Sequence, residues 1–339
     1  MRNNILVTGG AGYIGSHTVV ELLENNYNVI VVDNFSNSNP EVIDNIYKIT
    51  GINVPYYNID CCNKNDLKQI FEKYYFDAVI HFAAYKAVGE SIKFPLKYYY
   101  NNILSFINVL ELMLEFNCNN IVFSSSATVY GEPDELPLTE LSPLKLYKSI
   151  YGNTKQICEN ILIDTIKSNQ NLKGIILRYF NPIGAHPSIL IGESPKNIPQ
   201  NLLPYLTKTA VGIYEYINIY GNDYPTPDGT CLRDYIDIMD LSNAHIKAIS
   251  YLENNVIDNN YEIFNIGTGK AVSVLELINT FENVNNITIK YKITPRRPGD
   301  VTSIYTDTTL ANNKLKWKAK RSLEESLRTA YLWELKNYL

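Results

Sequence analysis

The sequence is short of the residues that build metal centres and disulfide frameworks. It holds four histidines, three methionines and two tryptophans in 339 residues. His17, His81, His186 and His245 show no ligand spacing, so no metal site is expected. The five cysteines, Cys61, Cys62, Cys118, Cys158 and Cys231, are odd in number and scattered. They read as reduced intracellular thiols rather than a disulfide scaffold. The net charge of −5 and pI near 5.5 argue against a nucleic-acid or anionic-membrane surface. No apolar run reaches membrane-spanning length. The N-terminus enters a strand directly, so no signal peptide is expected. The expectation is a cytoplasmic protein with no membrane or nucleic-acid partner. Arginine is also scarce, at seven residues, and four of them, Arg178, Arg233, Arg296 and Arg297, sit in motif-dense segments.

What is present is apolar patterning. Hydrophobic residues make up 45% of the chain, enough for one large or two medium domains. Strand-like runs near Ile5–Thr8, Val29–Asp33, Pro55–Asp60, Ala78–Phe82, Ile121–Ser124 and Gly174–Tyr179 alternate with helical patterns. The helices include Asp66–Tyr74, Asn102–Glu115 and Tyr151–Ser168. This alternation predicts an α/β fold with a doubly wound parallel sheet, a Rossmann-type domain. After Asn181-Pro182 the chain becomes loop-rich and punctuated by proline. Helix Asp240–Glu253 and strand Tyr261–Gly267 then restore the earlier style. Ser273/Glu276 and Ser322/Glu325 have the spacing of capping boxes. The expected division is a dinucleotide domain over 1–180, with a return around 235–270. A smaller, loop-rich α/β substrate domain fills most of 181–339.

The first strand ends in Gly9-x-x-Gly12-x-x-Gly15, and a helical pattern follows. Glycines there let a backbone approach a pyrophosphate, whose charge the helix N-terminus favours. The second strand ends at Asp33, the place for an acid that accepts from adenosine ribose hydroxyls. That charge would repel a 2′-phosphate, so NAD is favoured over NADP. Tyr151 and Lys155 lie four residues apart, on one face of a helix. A nearby ammonium stabilises a phenolate, which makes the pair a plausible acid/base for a sugar or alcohol hydroxyl. Ser126, after the fifth strand, is placed to pass a proton to Tyr151. Asp60 suits an adenine amino group, and the small Ala83 and Ala84 after Phe82 suit a flat cofactor; ordinary loop and packing roles fit these equally. Lys86 is placed for cofactor or phosphate. Arg178-Tyr179-Phe180-Asn181, Asn201, Tyr220, Arg233 and Arg296-Arg297-Pro298-Gly299-Asp300 supply amides for uracil and sugar edges, and guanidinium forks for a diphosphate.

TGGAGYIGSHT, VVDN, HFAAYKAVGES, YYYNN, FSSSATVYG, YGNTK, RYFNPIGAHPS, GNDYPTPDGT, RDYIDIMDL and PRRPGD occur in order along nearly the whole chain. Together they resemble the UDP-glucose 4-epimerase family of extended short-chain dehydrogenase/reductases. The resemblance implies a tightly bound, recycled NAD and the substrates UDP-galactose and UDP-glucose. Tyr151 would take the sugar 4-hydroxyl proton as hydride leaves C4. Lys155 would lower the Tyr151 pKa, and Ser126 would assist. Gly9, Gly12, Tyr13, Ile14, Gly15, Asp33, Asn34, Asp60, Phe82, Ala83, Ala84, Lys86, Asn101, Tyr151, Lys155 and Tyr179 would meet the cofactor. Ser126, Tyr151, Asn181, Asn201, Leu202, Tyr220, Arg233, Arg297, Asp300 and Ile304 would meet the UDP-sugar. Ile304 stands where relatives carry Tyr or Cys at the wall beside the sugar, which bears on acceptance of N-acetylated sugars. Ile150 and Ala84 are smaller departures from the pattern. The resemblance also implies a homodimer through helices carrying Leu104, Ile107, Leu110, Leu112, Met113, Ile157 and Ile161.

Three alternatives can be weighed on residues. A 4,6-dehydratase needs an acid pair before Val-Tyr-Gly, where this chain has Ser126, Ala127 and Thr128. Elimination of water is therefore not expected. Another nucleotide-sugar epimerase of the same family remains open. A non-catalytic NAD-bound sensor would not need Ser126, Tyr151 and Lys155 together.

Overall fold

The computed structural model describes residues 2–196, 198–254, 256–297 and 299–338. The first part of the chain runs β1 (Asn4–Thr8), α1 (Tyr13–Glu24), β2 (Asn28–Asp33), α2 (Glu41–Thr50) and β3 (Tyr56–Asn58). It continues with α3 (Lys64–Lys73), β4 (Ala78–His81), α4 (Val88–Lys93), α5 (Pro95–Glu115), β5 (Asn120–Ser126), α6 (Ile150–Ser168) and β6 (Lys173–Tyr179). The later part adds β7 (Asn181–Ile183), α7 (Leu202–Ala210), β8 (Ile217–Tyr220), β9 (Leu232–Arg233), β10 (Tyr235–Asp237) and α8 (Ile238–Asn254). It ends with β11 (Tyr261–Ile266), β12 (Val272–Ser273), α9 (Val274–Asn285), β13 (Tyr291–Thr294), β14 (Ser303–Ile304) and α10 (Leu323–Tyr338).

Seven strands form one sheet in the order β11-β6-β5-β4-β1-β2-β3, and every pair is parallel. The reason lies in runs such as Ile5-Leu6-Val7 and Val29-Ile30-Val31-Val32, apolar on both faces. Side chains alternate across the sheet. Ile5, Val7 and Val31 pack with residues of α1, α2 and α8. Leu6, Ile30 and Val32 pack on the other face with residues of α3, α5 and α6. The strand order reverses between β1 and β4, and in such sheets a ligand crevice opens there, outside the strand C-termini. β11 comes from the later part of the chain and completes the sheet beside β6.

A second core gathers Leu203 and Leu206 of α7, Ile217 and Ile219 of β8, Leu277, Ile278 and Phe281 of α9, and Leu327 of α10. Here the strands are short: β7 pairs with β10, β8 with β13, and β9 lies between β12 and β14. Both expected capping boxes form. Ser273 Oγ accepts from Glu276 N at 2.9 Å, and Ser322 Oγ accepts from Glu325 N at 3.1 Å. The reciprocal arms, from Ser273 N and Ser322 N to the glutamate carboxylates, are 3.3 and 2.9 Å.

Two expectations need correction. Helix α5 begins at Pro95, not Asn102, because proline suits the first helical turn. The dimer-face residues also divide: Leu110, Leu112 and Met113 are buried inside the chain's own core, whereas Leu104, Ile107, Ile157 and Ile161 are half-buried.

Candidate active site

The glycine turn is tight for a reason. Gly9 has φ +69°, and a Cβ there would lie 2.8 Å from the backbone nitrogen of Ala83 after β4. A Cβ on Gly15 would lie 2.2 Å from the Gly9 carbonyl oxygen. The turn is therefore a cradle that only bare backbone can form. Asp33 braces it from β2. Its carboxylate accepts from Ala11 N at 3.0 Å, Phe35 N at 2.9 Å and Ser38 Oγ at 2.8 Å. Asn34 Nδ2 donates to Asp60 at 3.1 Å, so the ends of β2 and β3 are tied. Tyr13 donates to the Gly184 carbonyl at 2.6 Å, and Lys86 Nζ lies 5.7 Å from the centre of its ring. Asn101 Nδ2 donates to Asn102, which spans to Tyr85 and Thr154 and so locks α5 to α6.

At the C-terminal end of β5, Thr128 donates from N and Oγ1 to Ser126 Oγ, at 3.2 and 3.0 Å. Helix α6 starts here, capped by Ser149, whose Oγ accepts from Gly152 N at 3.1 Å. Gly152 lets the helix approach: a Cβ there would sit 3.0 Å from the Thr128 carbonyl. Tyr151 thereby lies in the first turn of α6, near Ser126, whose hydroxyl favours the ionised phenol. Lys155, one turn further, is 3% exposed, with Nζ 6.0 Å from the Tyr151 ring centre. It donates to the Ser124 carbonyl at 2.6 Å. Ser124 Oγ also hydrogen-bonds the Tyr179 hydroxyl.

The electrostatics differ from expectation. Burial pushes the Tyr151 phenol up to about 12, against the lowering effect of Ser126. Burial also pushes Lys155 down to about 8, with Cys158 and Glu159 resisting. Lys155 is near Tyr151, but its ammonium points at the Ser124 carbonyl, and desolvation sets the direction of the phenol's shift. The lowering of the phenol expected from the Tyr/Lys spacing is absent in the protein alone.

Across the crevice the Arg297 fork grips Asp300, Nε to Oδ2 at 3.1 Å and Nη2 to Oδ1 at 2.7 Å. Arg233 Nη2 lies 3.7 Å from the same carboxylate. The Arg297 guanidinium also lies 5.6 Å from the Tyr220 ring centre. Arg233 Nη1 donates to the Leu232 carbonyl at 2.8 Å, and the buried carboxylate of the next residue, Asp234, accepts from the Thr268 and Gly269 backbone nitrogens at 2.8 and 3.0 Å. Asn201 precedes α7, and Leu202 is its first residue. Asn181 opens β7 beside Tyr235 of β10. Ile304 is buried with Ala127, Val129, Tyr130 and Phe180 in a small apolar cluster.

Two candidate arginines lie elsewhere. Arg178 is 3% exposed and bound to Glu159 at 2.6 Å. Arg296 pairs with Asp223 at 2.8 Å and covers the Tyr224 ring at 4.0 Å. Both are spent on structure. Glu159 and Glu193, which accepts from Lys86 Nζ at 2.8 Å, went unseen in the sequence. A single glutamate has no spacing that marks it.

The parallel sheet, the glycine cradle at its switch point and the tyrosine–lysine helix beside it define an extended short-chain dehydrogenase/reductase. The matching family model, described as GDP-mannose 4,6 dehydratase, spans residues 6–330. UDP-glucose 4-epimerase 2 of Arabidopsis thaliana is 46% identical over 99% of this chain and 96% of its own. UDP-glucose 4-epimerase of Bacillus subtilis is 45% identical over 98% and 97%. The crystal structure of UDP-glucose 4-epimerase from Bifidobacterium longum, in complex with NAD+ and UDP, superposes with a TM-score of 0.95. It is 43% identical and covers 99% of each chain. The chain belongs to the UDP-glucose 4-epimerase family.

Proposed function

We propose that this protein interconverts UDP-galactose and UDP-glucose at C4 of the sugar, using NAD that stays bound through the cycle. The observation that carries the reading is the meeting of Ser126, Tyr151 and Lys155 at the end of β5. On one side lies the glycine cradle; on the other, Arg233, Arg297 and Asn201. The cradle fits a dinucleotide, because Gly9 and Gly15 leave no room for a Cβ where a pyrophosphate must approach the backbone. Asp33 is buried at the end of β2, the position for a ribose contact.

When bound, NAD supplies a reversible hydride acceptor. The chain supplies the rest. Tyr151, once it has released its own proton to solvent, accepts the 4-hydroxyl proton as a phenolate, with Ser126 hydrogen-bonding the reacting oxygen. Lys155, buried and short of water, holds the ribose side and lends positive charge. Arg233 and Arg297 anchor the diphosphate, while Asn181, Asn201, Leu202, Tyr220 and Asp300 shape the nucleotide and sugar pocket. The anchored UDP lets a 4-keto sugar turn and take hydride back on its other face. Tyr151 then returns the proton. The deciding experiment incubates purified protein with UDP-galactose and no added NAD. UDP-glucose should appear; net reduction of added NAD without an epimer would refute the reading.

Ile304 bears on substrate range, because it shares its cluster with Phe180, one residue before Asn181. It is smaller than tyrosine, so UDP-N-acetylgalactosamine is epimerised measurably but more slowly than UDP-galactose. Overfilling this wall costs about 1–3 kcal/mol. Ile304→Tyr is therefore expected to lower the ratio of N-acetylated to plain substrate turnover by roughly ten- to a hundred-fold. An unchanged ratio shows that Ile304 is not the wall.

The half-buried Leu104, Ile107 and Ile157 on α5 and α6 support a homodimer through those helices. Sedimentation at micromolar concentration is expected to give two chains; a stable monomer excludes it. All five cysteines are free thiols, which supports the reducing cytoplasm as its compartment. Activity recovered outside the cytosolic fraction counts against that. Among the described residues no helix is long and apolar enough to cross a membrane.

A further inference from the structure

We infer that Glu193 is a positioning residue that couples the nucleotide-sugar site to the cofactor site, an inference resting on the function proposed above. The strand-free segment before α7 is fastened to both sites. Lys196 Nζ donates to the Phe35 carbonyl at 2.5 Å, two residues past Asp33. Gln200 Oε1 accepts from Gly89 N at 3.0 Å, and its carbonyl accepts from Arg297 Nη1 at 3.4 Å. Trp333 Nε1 donates to the Glu193 carbonyl at 3.3 Å. At the centre, one oxygen of Glu193 takes two donors. Lys86 Nζ reaches it at 2.8 Å and Asn201 Nδ2 at 3.3 Å. The Glu193 side chain is only 11% exposed, so water competes little for that oxygen.

A shared acceptor makes its donors interdependent. A UDP group that engages Asn201 draws the amide away and leaves the carboxylate to Lys86 alone. The lysine is then held more firmly over Tyr13 at the glycine cradle, and the segment closes on the cofactor side. Linkage requires the reverse as well: a bound cofactor that fixes Lys86 changes the affinity for UDP by the same factor. Glu193 acts through its two donors, Lys86 and Asn201.

The test follows cofactor exchange rather than turnover. Protein loaded with NAD is mixed with isotopically labelled NAD, and label uptake is timed with and without UDP. UDP is expected to slow uptake in the wild type by about 5-fold or more. In Glu193→Gln, which keeps the shape and drops the charge, that factor should fall toward one. No slowing in the wild type, or equal slowing in both, overturns the coupling. A merely structural role predicts faster exchange in the variant with the UDP factor intact, which also overturns it. Wild-type protein that neither carries nor takes up NAD overturns the proposed function instead. Should Glu193→Gln fail to fold, Glu193→Asp, one methylene shorter with the charge kept, is read by the same ratio.

Discussion

Tyr151→Phe is expected to lower turnover of UDP-galactose by roughly 10²–10⁴-fold, the range for removing a general acid–base group. UDP affinity should stay close to wild type, since the ring remains and the diphosphate anchors lie across the crevice. The fold should hold too: the hydroxyl's interaction with Ser126 is all that is lost, at most about 1 kcal/mol. The size of the effect follows from the surroundings. The phenol is pushed up to about 12, so at neutral pH it holds its proton and must receive help to give it up. In the protein alone that help is Ser126, which lowers the phenol, and Lys155 adds none. Thr128 already donates to Ser126 and the Tyr179 hydroxyl is engaged by Ser124, so neither is free to replace the hydroxyl. Turnover within about tenfold of wild type would remove Tyr151 from the proton step.

The parts of the fold that read well from sequence are those with one physical signal. Strands β1, β2 and β4 to β6 are continuous apolar runs buried on both faces, and their observed ends lie within two residues of expectation. The capping boxes read well because serine and glutamate at fixed spacing satisfy the same backbone groups wherever they occur. β3 is shorter than its pattern, Tyr56–Asn58 against an expected Pro55–Asp60, as befits an edge strand with few partners. Helix α5 hid its first two turns in Pro95-Leu96-Lys97-Tyr98-Tyr99-Tyr100, where mixed polarity blurs the period. The two-residue strands β9, β12 and β14 exist only through pairing between distant segments, which no local pattern records. The site shows the same divide. Gly9, Asp33, Ser126, Tyr151 and Lys155 were legible because their chemistry is tied to a position after a strand or on a helix. Arg178 and Arg297 were indistinguishable as residue types; only the fold buries one on Glu159 and leaves the other at the rim with Asp300. The pKa of Tyr151 was illegible for a related reason: desolvation depends on everything packed around it.

Glu159→Leu is expected to be the most destabilising of these changes, by about 3–5 kcal/mol. Glu159 lies on α6 one turn beyond Lys155 and is 1% exposed. It accepts from Arg178 Nε at 3.0 Å and Nη2 at 2.6 Å, and from Ser125 Oγ. Arg178 Nη1 in turn donates to the Tyr130 hydroxyl at 3.0 Å, which donates to Asn265 on β11 at 2.6 Å. One network thus ties β5, α6, β6 and β11 beneath the catalytic helix. Removing the carboxylate alone leaves the Arg178 charge buried without its partner, and that desolvation dominates the cost. Stability for a folded domain is about 5–15 kcal/mol, so the loss is a large share and should be plain in the urea midpoint. The paired change Glu159→Leu with Arg178→Met removes both charges and is expected to recover most of the loss. If the single change costs under about 1 kcal/mol, or the pair costs more than the single, burial of an unpaired charge is not what matters. The network also reaches the chemistry. Glu159 is one of the groups that resist the depression of Lys155, which sits at about 8. Its loss moves the lysine lower still, so the ammonium gives up its proton at a lower pH. The alkaline limb of the pH–rate profile should shift down in Glu159→Leu, in whatever fraction remains folded.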